Sequence, residues 1–315
     1  MRKFSVSTFS KKYGTVAGLV ILCIVFSLLK PQFFTINNIL IVLRQIAMLS
    51  IMGAGLTVVM ITKRIDLSIG YATSFLGIFC AALLVDFGVP FWVAIILTLV
   101  CGALIGLING VAVAVIGIPD FIATLCVGQL VSGVNQAYTH GHPISGLPNL
   151  FDIFGASSLF SIPSSIYIMI IFLIIIYIVL THTKFGRYTY AIGGNEIAAM
   201  MSGVKVKKNQ VLGYMLCGVA MGITALVLTS RLGSAHPLAA DGLMMDAIAT
   251  VYLGSTAFKE GEPNLAGTFV GALFIGVLSN GMTLLSAPYY ITDITKGLVI
   301  LLAVTVTSIQ RNKKK

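Results

Sequence analysis

Lys184-Phe-Gly-Arg-Tyr-Thr-Tyr-Ala-Ile-Gly-Gly-Asn195-Glu-Ile-Ala-Ala-Met-Met-Ser-Gly203-Val-Lys-Val-Lys-Lys208 is the longest polar, basic interruption in a chain that otherwise alternates apolar runs with short turns. Gly193 and Gly194 permit a tight turn, and Asn195 is a good N-cap for a short helix. Glu196 falls in the first turn, where a carboxylate suits the helix dipole, and Gly203 fits the position just past the helix end. Ile197, Met200, Met201 and Val204 share one face at helical spacing. A capped amphipathic helix with basic flanks, set between two membrane spans, is something another protein could grip. An ordinary cytoplasmic connector would have the same local features.

The runs around that stretch set the class. Hydrophobic residues make up 57% of the 315, charged residues 10%, and mean hydropathy is +1.01, so the chain is a polytopic all-α membrane protein. A transmembrane helix needs about 20 apolar residues, which leaves no room for a separate soluble domain. The net charge of +10 sits between the apolar runs, which makes it a topology signal and argues against nucleic acid. The five cysteines all lie inside apolar runs without metal-ligand spacing, as buried small hydrophobes do.

Ten spans are expected, at about 14–29, 46–62, 69–85, 91–116, 120–138, 165–180, 211–232, 244–258, 265–285 and 291–309. The first retains its place as a helix, since no signal-cleavage pattern follows it. Bases cluster at Arg2 to Lys12, Lys63-Arg64, Lys184 to Lys208, Lys259 and Arg311 to Lys315, while the interval from Arg64 to Lys184 has none. With both termini cytoplasmic, the long 139–164 loop falls outside and the bases inside. One domain, 1–315, then divides into a first half (1–138), the outer loop and a second half (165–315) that carries the 184–208 loop.

The halves resemble each other. Gly55-Leu-Thr57…Thr62-Lys-Arg64-Ile65 matches Gly222-Ile-Thr224…Thr229-Ser-Arg231-Leu232, and Gly102-Ala-Leu-Ile-Gly106-Leu-Ile-Asn109-Gly110 matches Gly271-Ala-Leu-Phe-Ile-Gly276-Val-Leu-Ser-Asn280-Gly281. The offset stays near about 170 residues, and the matched spans run in opposite directions. Two inverted-topology halves of five helices, a common transporter design, follow from that. The glycines at 102, 106 and 110, and at 267 and 271, allow close helix approach within a subunit or across a dimer. Segment 31–45 would mirror the 184–208 loop, with Thr35 or Asn37 capping a short helix and Arg44 free to meet a docking protein or lipid headgroups.

Asp66, Tyr71, Phe75, Asn109 and Asn280 are candidates for a substrate pathway: a carboxylate at membrane depth, rings able to stack on a sugar, and amides. Asp66 and Ser68 equally suit a helix N-terminus, the asparagines an interhelical bond, and the rings packing. Nothing matches a P-loop, a nucleophile elbow or a zinc site, and the spans lack the Asp, Glu and His chain of a proton relay. These absences weigh against an integral-membrane enzyme and against the runner-up reading, a self-sufficient secondary transporter.

Four motifs carry a family resemblance: Phe33-Phe34-Thr-Ile-Asn-Asn38, Arg64-Ile-Asp66-Leu-Ser-Ile-Gly70, Asp120-Phe-Ile-Ala-Thr124-Leu and Gly186-Arg-Tyr-Thr-Tyr-Ala-Ile-Gly-Gly-Asn195. Together they resemble the ribose-type permeases of ATP-binding cassette importers over nearly the whole chain. The resemblance implies a homodimer in the bacterial inner membrane, an ATPase subunit that alone holds ATP and magnesium, and an extracytoplasmic sugar-binding protein. It places Gly186, Arg187, Gly193, Gly194, Asn195, Glu196, Ala198, Ala199 and Gly203 where such permeases meet their ATPase. By the mirrored outer segment, Asn37, Asn38 and Arg44 would meet the binding protein. Where the family usually has Gly-Gly-Thr-Ser-x-x-Gly-Gly, this chain reads Gly254-Ser-Thr-Ala-Phe-Lys-Glu-Gly261. The expected chain is therefore a non-catalytic, sugar-conducting subunit with no cofactor of its own.

Overall fold

A computed structural model describes residues 6–258 and 261–312. Arg2, Lys3, Lys259 and Lys313 to Lys315, used above as topology markers, lie outside the described residues. The helices are α1 (Val6–Leu29), α2 (Ile36–Ile61), α3 (Ile69–Val85), α4 (Phe91–Gly110), α5 (Asp120–Thr139), α6 (Ser164–His182), α7 (Lys184–Gly194), α8 (Glu196–Met201), α9 (Val206–Leu232), α10 (Leu243–Ser255), α11 (Leu265–Leu284) and α12 (Tyr289–Asn312). Short 3-10 turns cover Pro31–Phe34 and Asn149–Phe154, and α4 runs on into a π-helical turn, Val111–Ile116. The strands β1 (Ser158–Leu159) and β2 (Ile162–Pro163) form a small antiparallel hairpin.

Among the described residues, five helical stretches are long and apolar enough to cross a membrane: Ile36–Ile61, Phe91–Ile116, Ser164–His182, Val206–Leu232 and Leu265–Leu284. Shorter apolar helices cover Gly14–Leu29, Ile69–Val85 and Leu243–Ser255. The chain is an all-α polytopic membrane protein.

Two compact units divide the chain, and each takes residues from both sequence halves: Ala54–Met244 form one, and Met1–Gly53 with Met245–Lys315 the other. In the first unit α9 is the central helix. A methyl group placed on Gly102, Gly106 or Gly110 of α4 would run into the backbone of Gly218, Tyr214 or Val211. α4 and α9 therefore touch main chain to main chain, as small residues permit in membrane helices. The Tyr214 side chain is fully buried, and its hydroxyl donates to the Ile65 carbonyl at 2.9 Å. In the second unit Gly267 and Gly271 of α11 meet the backbone of Gly254 and Thr250 on α10, while Gly276 and Gly281 meet the side chains of Ile46 and Phe26. The repeated glycines of both helices pack within the chain.

Three expected boundaries shift. The Gly193-Gly194 turn is instead the end of a helix, α7, which Thr183 caps by accepting from the Gly186 amide. Glycine is needed at 193 for contact, since a Cβ there would strike the Ile61 carbonyl oxygen. The expected short helix within 31–45 and a span beginning at Ile46 are one continuous helix, α2, preceded by the Pro31–Phe34 turn. Thr35 closes that entry by accepting from the Asn38 amide, so the polar residues up to Gln45 are simply the first turns of α2. α9 likewise starts five residues before the expected Val211.

Candidate functional site

The Asn195 side chain caps α8, accepting from the Ala198 amide at 3.0 Å, a contact that stabilises a helix start by about 1 kcal/mol. Gly203 follows α8 with φ +81°, the left-handed conformation that lets the chain reverse into α9. The apolar residues of this helix divide. Ala199 packs inward with Ile192, Val204 and Val206, whereas Ile197, Met200 and Met201 are 71%, 58% and 81% exposed. Val204, expected on the α8 face, lies beyond its end and closes that inward cluster. Of the other residues assigned to coupling, Gly186 is buried, Gly193 is partly buried against Ile61, and Arg187, Gly194, Glu196 and Ala198 are exposed.

The end of α2 grips the α7–α8 junction. Lys63, held at φ +61°, points its Nζ at the Gly194 carbonyl, 3.4 Å away. A cation there meets the negative end of the α7 dipole. Arg64 pairs with Glu196 at 3.5 Å. Both side chains are a third or more exposed, so the pair contributes at most about 1 kcal/mol and can open readily. Beside the junction is an open cleft of about 770 Å³, walled by Val113 to Gly117, Ile197, Met200 and Val206 and edged by Lys63, Arg64 and Lys207. Gln210 lines it too. Its side chain is buried, and its Nε2 meets no acceptor among the described residues.

The 65–68 segment leads from this junction into α3 and is pinned throughout. The Ile65 amide donates to Asp120, and the Leu67 amide donates to Thr124, both at 2.9 Å. Asp66 is fully buried and accepts from the Ser68 amide and hydroxyl at 2.9 and 2.6 Å. Asn109 donates to Ser68 Oγ at 2.8 Å and lies within 3.4 Å of both Asp66 oxygens. The structure thus brings together Asp66 and Asn109 of the pathway set, with Asp66 Oδ1 accepting from Ser68 and both carboxylate oxygens beside the Asn109 amide. Tyr71 and Phe75 follow on α3, half-buried, and the Phe75 ring stacks on Phe79 at 6.0 Å.

Asn280 belongs to the other unit, in a reciprocal amide pair with Asn38 at 2.8 and 3.0 Å. Asn38, assigned to docking, is buried in this pair and also donates to the Phe33 carbonyl. Asn37 is exposed, and Arg44 is half-buried with an Nε that has no partner among the described residues.

Sequence reasoning missed two aspartate contacts. In one unit Asp241 accepts from the Ser74 hydroxyl at 2.9 Å. In the other, Lys296 of α12 pairs with Asp246 of α10 at 2.8 Å, with side chains only 18% and 6% exposed. An aspartate and a lysine inside apolar runs were the available signal, since charge in a membrane helix needs a partner. Among the described residues no cluster of His, Cys, Asp and Glu is fit to hold a metal ion.

A family model described as branched-chain amino acid transport system / permease component matches residues 38–304. The ribose import permease protein of Escherichia coli is 40% identical over 97% of this chain and 96% of its own length. That of Bacillus subtilis is 40% identical over 93% and 92%. The D-allose transport system permease protein of Escherichia coli is 32% identical over 96% and 93%. No solved structure matches.

Proposed function

This chain belongs to the import-permease family, as a ribose-type permease and multi-pass protein of the bacterial inner membrane, and we propose that it forms the transmembrane pathway for a pentose, hexose or related polyol. Ten helices with cytoplasmic termini, arranged as two inverted five-helix halves, make up each subunit of a homodimer. Two repeat-related packings support the inverted halves: Gly106 of α4 against Tyr214 of α9, and Gly276 of α11 against Ile46 of α2. The chain is non-catalytic and binds no cofactor; ATP and magnesium sit on a separate ATPase, and a binding protein delivers the sugar.

The observation that carries this reading is the α7–α8 junction. A six-residue capped helix exposes Ile197, Met200 and Met201 where water alone would favour polar side chains. The cationic cleft beside it and the unpartnered Gln210 donor suit a partner with apolar and acceptor groups. The ATPase docks there, and Lys63, Arg64 and Gly193 tie the docked helix to the end of α2. The pinned 65–68 segment then passes the displacement to α3.

The test is a permease with Ile197→Glu and Met201→Glu, co-expressed with its ATPase and binding protein. Membrane insertion and yield should be unchanged, ATPase co-purification should fall at least about tenfold, corresponding to about 1.4 kcal/mol, and sugar uptake should be lost. Normal ATPase recovery together with normal uptake would overturn the assignment.

A further inference from the structure

The β1–β2 hairpin has an unusual tip. Leu159 pairs with Ile162, which leaves Phe160 and Ser161 as a two-residue loop. Both residues have positive φ, +50° and +64°. Such loops favour Asn-Gly because two consecutive left-handed residues are strained when they carry a Cβ. A bulky phenylalanine is an outlier there, and outliers of this kind point to function. Here the strained residue holds its ring 87% exposed, flanked by Leu159 at 58% and Ile162 at 39%.

The base of the hairpin is firmly held. Ser164 donates to the Ser157 carbonyl from both its amide and its hydroxyl, and the Ser157 amide donates to the Asp152 carbonyl. Below it Phe151 is 1% exposed and packs with Phe91 and Phe154. The Tyr167 hydroxyl of α6 donates to the Leu159 carbonyl at 3.1 Å, so the hairpin is strapped to the first turn of a membrane-spanning helix. From residue 153 to 183 the sequence has no Asp, Glu, Lys or Arg. On α6 itself Ile170, Ile171, Ile174, Ile175 and Ile178 are each 45% or more exposed, the surface of a helix facing lipid.

We propose that the Leu159–Ile162 tip inserts into the boundary between phospholipid headgroups and acyl chains at the start of α6, as an interfacial anchor. Direct continuity with α6 sets the tip at that depth, and the absence of charge makes lipid its fitting occupant. The left-handed turn holds the phenyl ring at the tip of the hairpin. By this arrangement the hairpin fixes how deep the N-terminal end of α6 rides in the bilayer. None of this depends on the ATPase or on the sugar.

The chain has a single tryptophan, Trp92, which makes a direct test available. The full permease with Trp92→Phe and Phe160→Trp is reconstituted into phosphatidylcholine vesicles, with Trp92→Phe and Ile174→Trp as the mid-helix reference. The indole at position 160 should be quenched at least about twofold by lipids brominated near the glycerol end of the acyl chain. It should respond less to deep bromines than the reference does, and iodide in the water should quench it weakly. Ile162→Trp in the same background should behave alike. Strong iodide quenching without bromolipid quenching would place the tip in water and overturn the proposal. Shielding from both quenchers would mean that a second copy covers the tip, and shielding that requires added binding protein would mean that a protein docks there; either also overturns it.

Discussion

The glycine faces of α4 and α11 are the same motif written twice, yet they do different things. Gly102, Gly106 and Gly110 lie against the backbone of a single helix, α9, from end to end. On α11 the face changes partner: Gly267 and Gly271 meet the α10 backbone, whereas Gly276 and Gly281 meet the side chains Ile46 and Phe26. A backbone cannot yield without moving its whole helix, while a side chain can change rotamer. Spaced glycines therefore encode close approach, and the neighbour decides how much that approach matters. The asparagines that end the two motifs diverge in the same way. Asn109 supports a buried carboxylate, and Asn280 supports only another amide.

The largest effect is expected at the rigid face. In Gly106→Leu the side chain would have to occupy the space of the Tyr214 carbonyl and the Met215 Cα. Separating α4 from α9 goes beyond the about 1–3 kcal/mol of ordinary overpacking. No monodisperse permease should be recovered, as judged by size-exclusion chromatography in detergent. A folded Gly106→Leu variant with normal thermal stability would remove the distinction between the two faces.

The second effect comes from giving each motif-ending asparagine a charge. Asn109→Asp sets a second buried carboxylate against Asp66. Two unit charges about 4 Å apart at an effective dielectric of about 20 repel by roughly 4 kcal/mol. Asn280→Asp meets no carboxylate: Asn38 Nδ2 still donates to one oxygen, and the other faces only the uncharged Asn38 Oδ1. Asn109→Asp should therefore be less stable than Asn280→Asp by about 2–4 kcal/mol, read from denaturation midpoints in the same detergent. Equal losses would mean that the surroundings of Asp66 carry no special electrostatic weight.

The contrast also marks what was legible in the sequence. Local signals were enough for the α8 cap at Asn195, the left-handed Gly203 and the polar breaks between helices, because each depends on residues within a turn or two. The glycine repeat was legible as close packing, but its partners lie far along the chain, Gly110 meeting Val211 and Gly281 meeting Phe26. Gly193-Gly194 looked like a turn because local preference favours one. The Ile61 carbonyl pressed against Gly193 explains a helix end instead. The outward turn of Ile197 and inward turn of Ala199 depend on where α7 and α9 lie, which helical spacing alone does not specify. Asp246 and Lys296 stand 50 residues apart and show their pairing only once α10 and α12 are packed. The Phe160-Ser161 turn lacks the Asn-Gly, Asp-Gly or glycine signature of a two-residue hairpin loop, so composition marked its loop without marking its hairpin.

The smallest effect belongs to the yielding part of α11. In Gly276→Ala the new methyl would lie 2.6 Å from Ile46 Cγ1 and 3.3 Å from its Cδ1, with no backbone atom among its nearest neighbours. Ile46 is fully buried, so its side chain has limited room, but a rotation about its own χ angles relieves the contact without moving α2 or α11. Such a rotation costs about 0.5–1.5 kcal/mol. Replacing glycine by alanine in a helix interior returns about 0.5–1 kcal/mol through backbone entropy. The two nearly cancel, and the melting temperature of Gly276→Ala should stay within about 3 °C of the parent. Shortening the neighbour provides the check. If the contact with Ile46 is the only obstacle, Gly276→Ala combined with Ile46→Ala, which removes both Cγ1 and Cδ1, should be at least as stable as Ile46→Ala alone. A large loss in Gly276→Ala that Ile46→Ala fails to restore would show that α11 is held as rigidly at Gly276 as α4 is at Gly106. The two faces would then be mechanical equivalents after all.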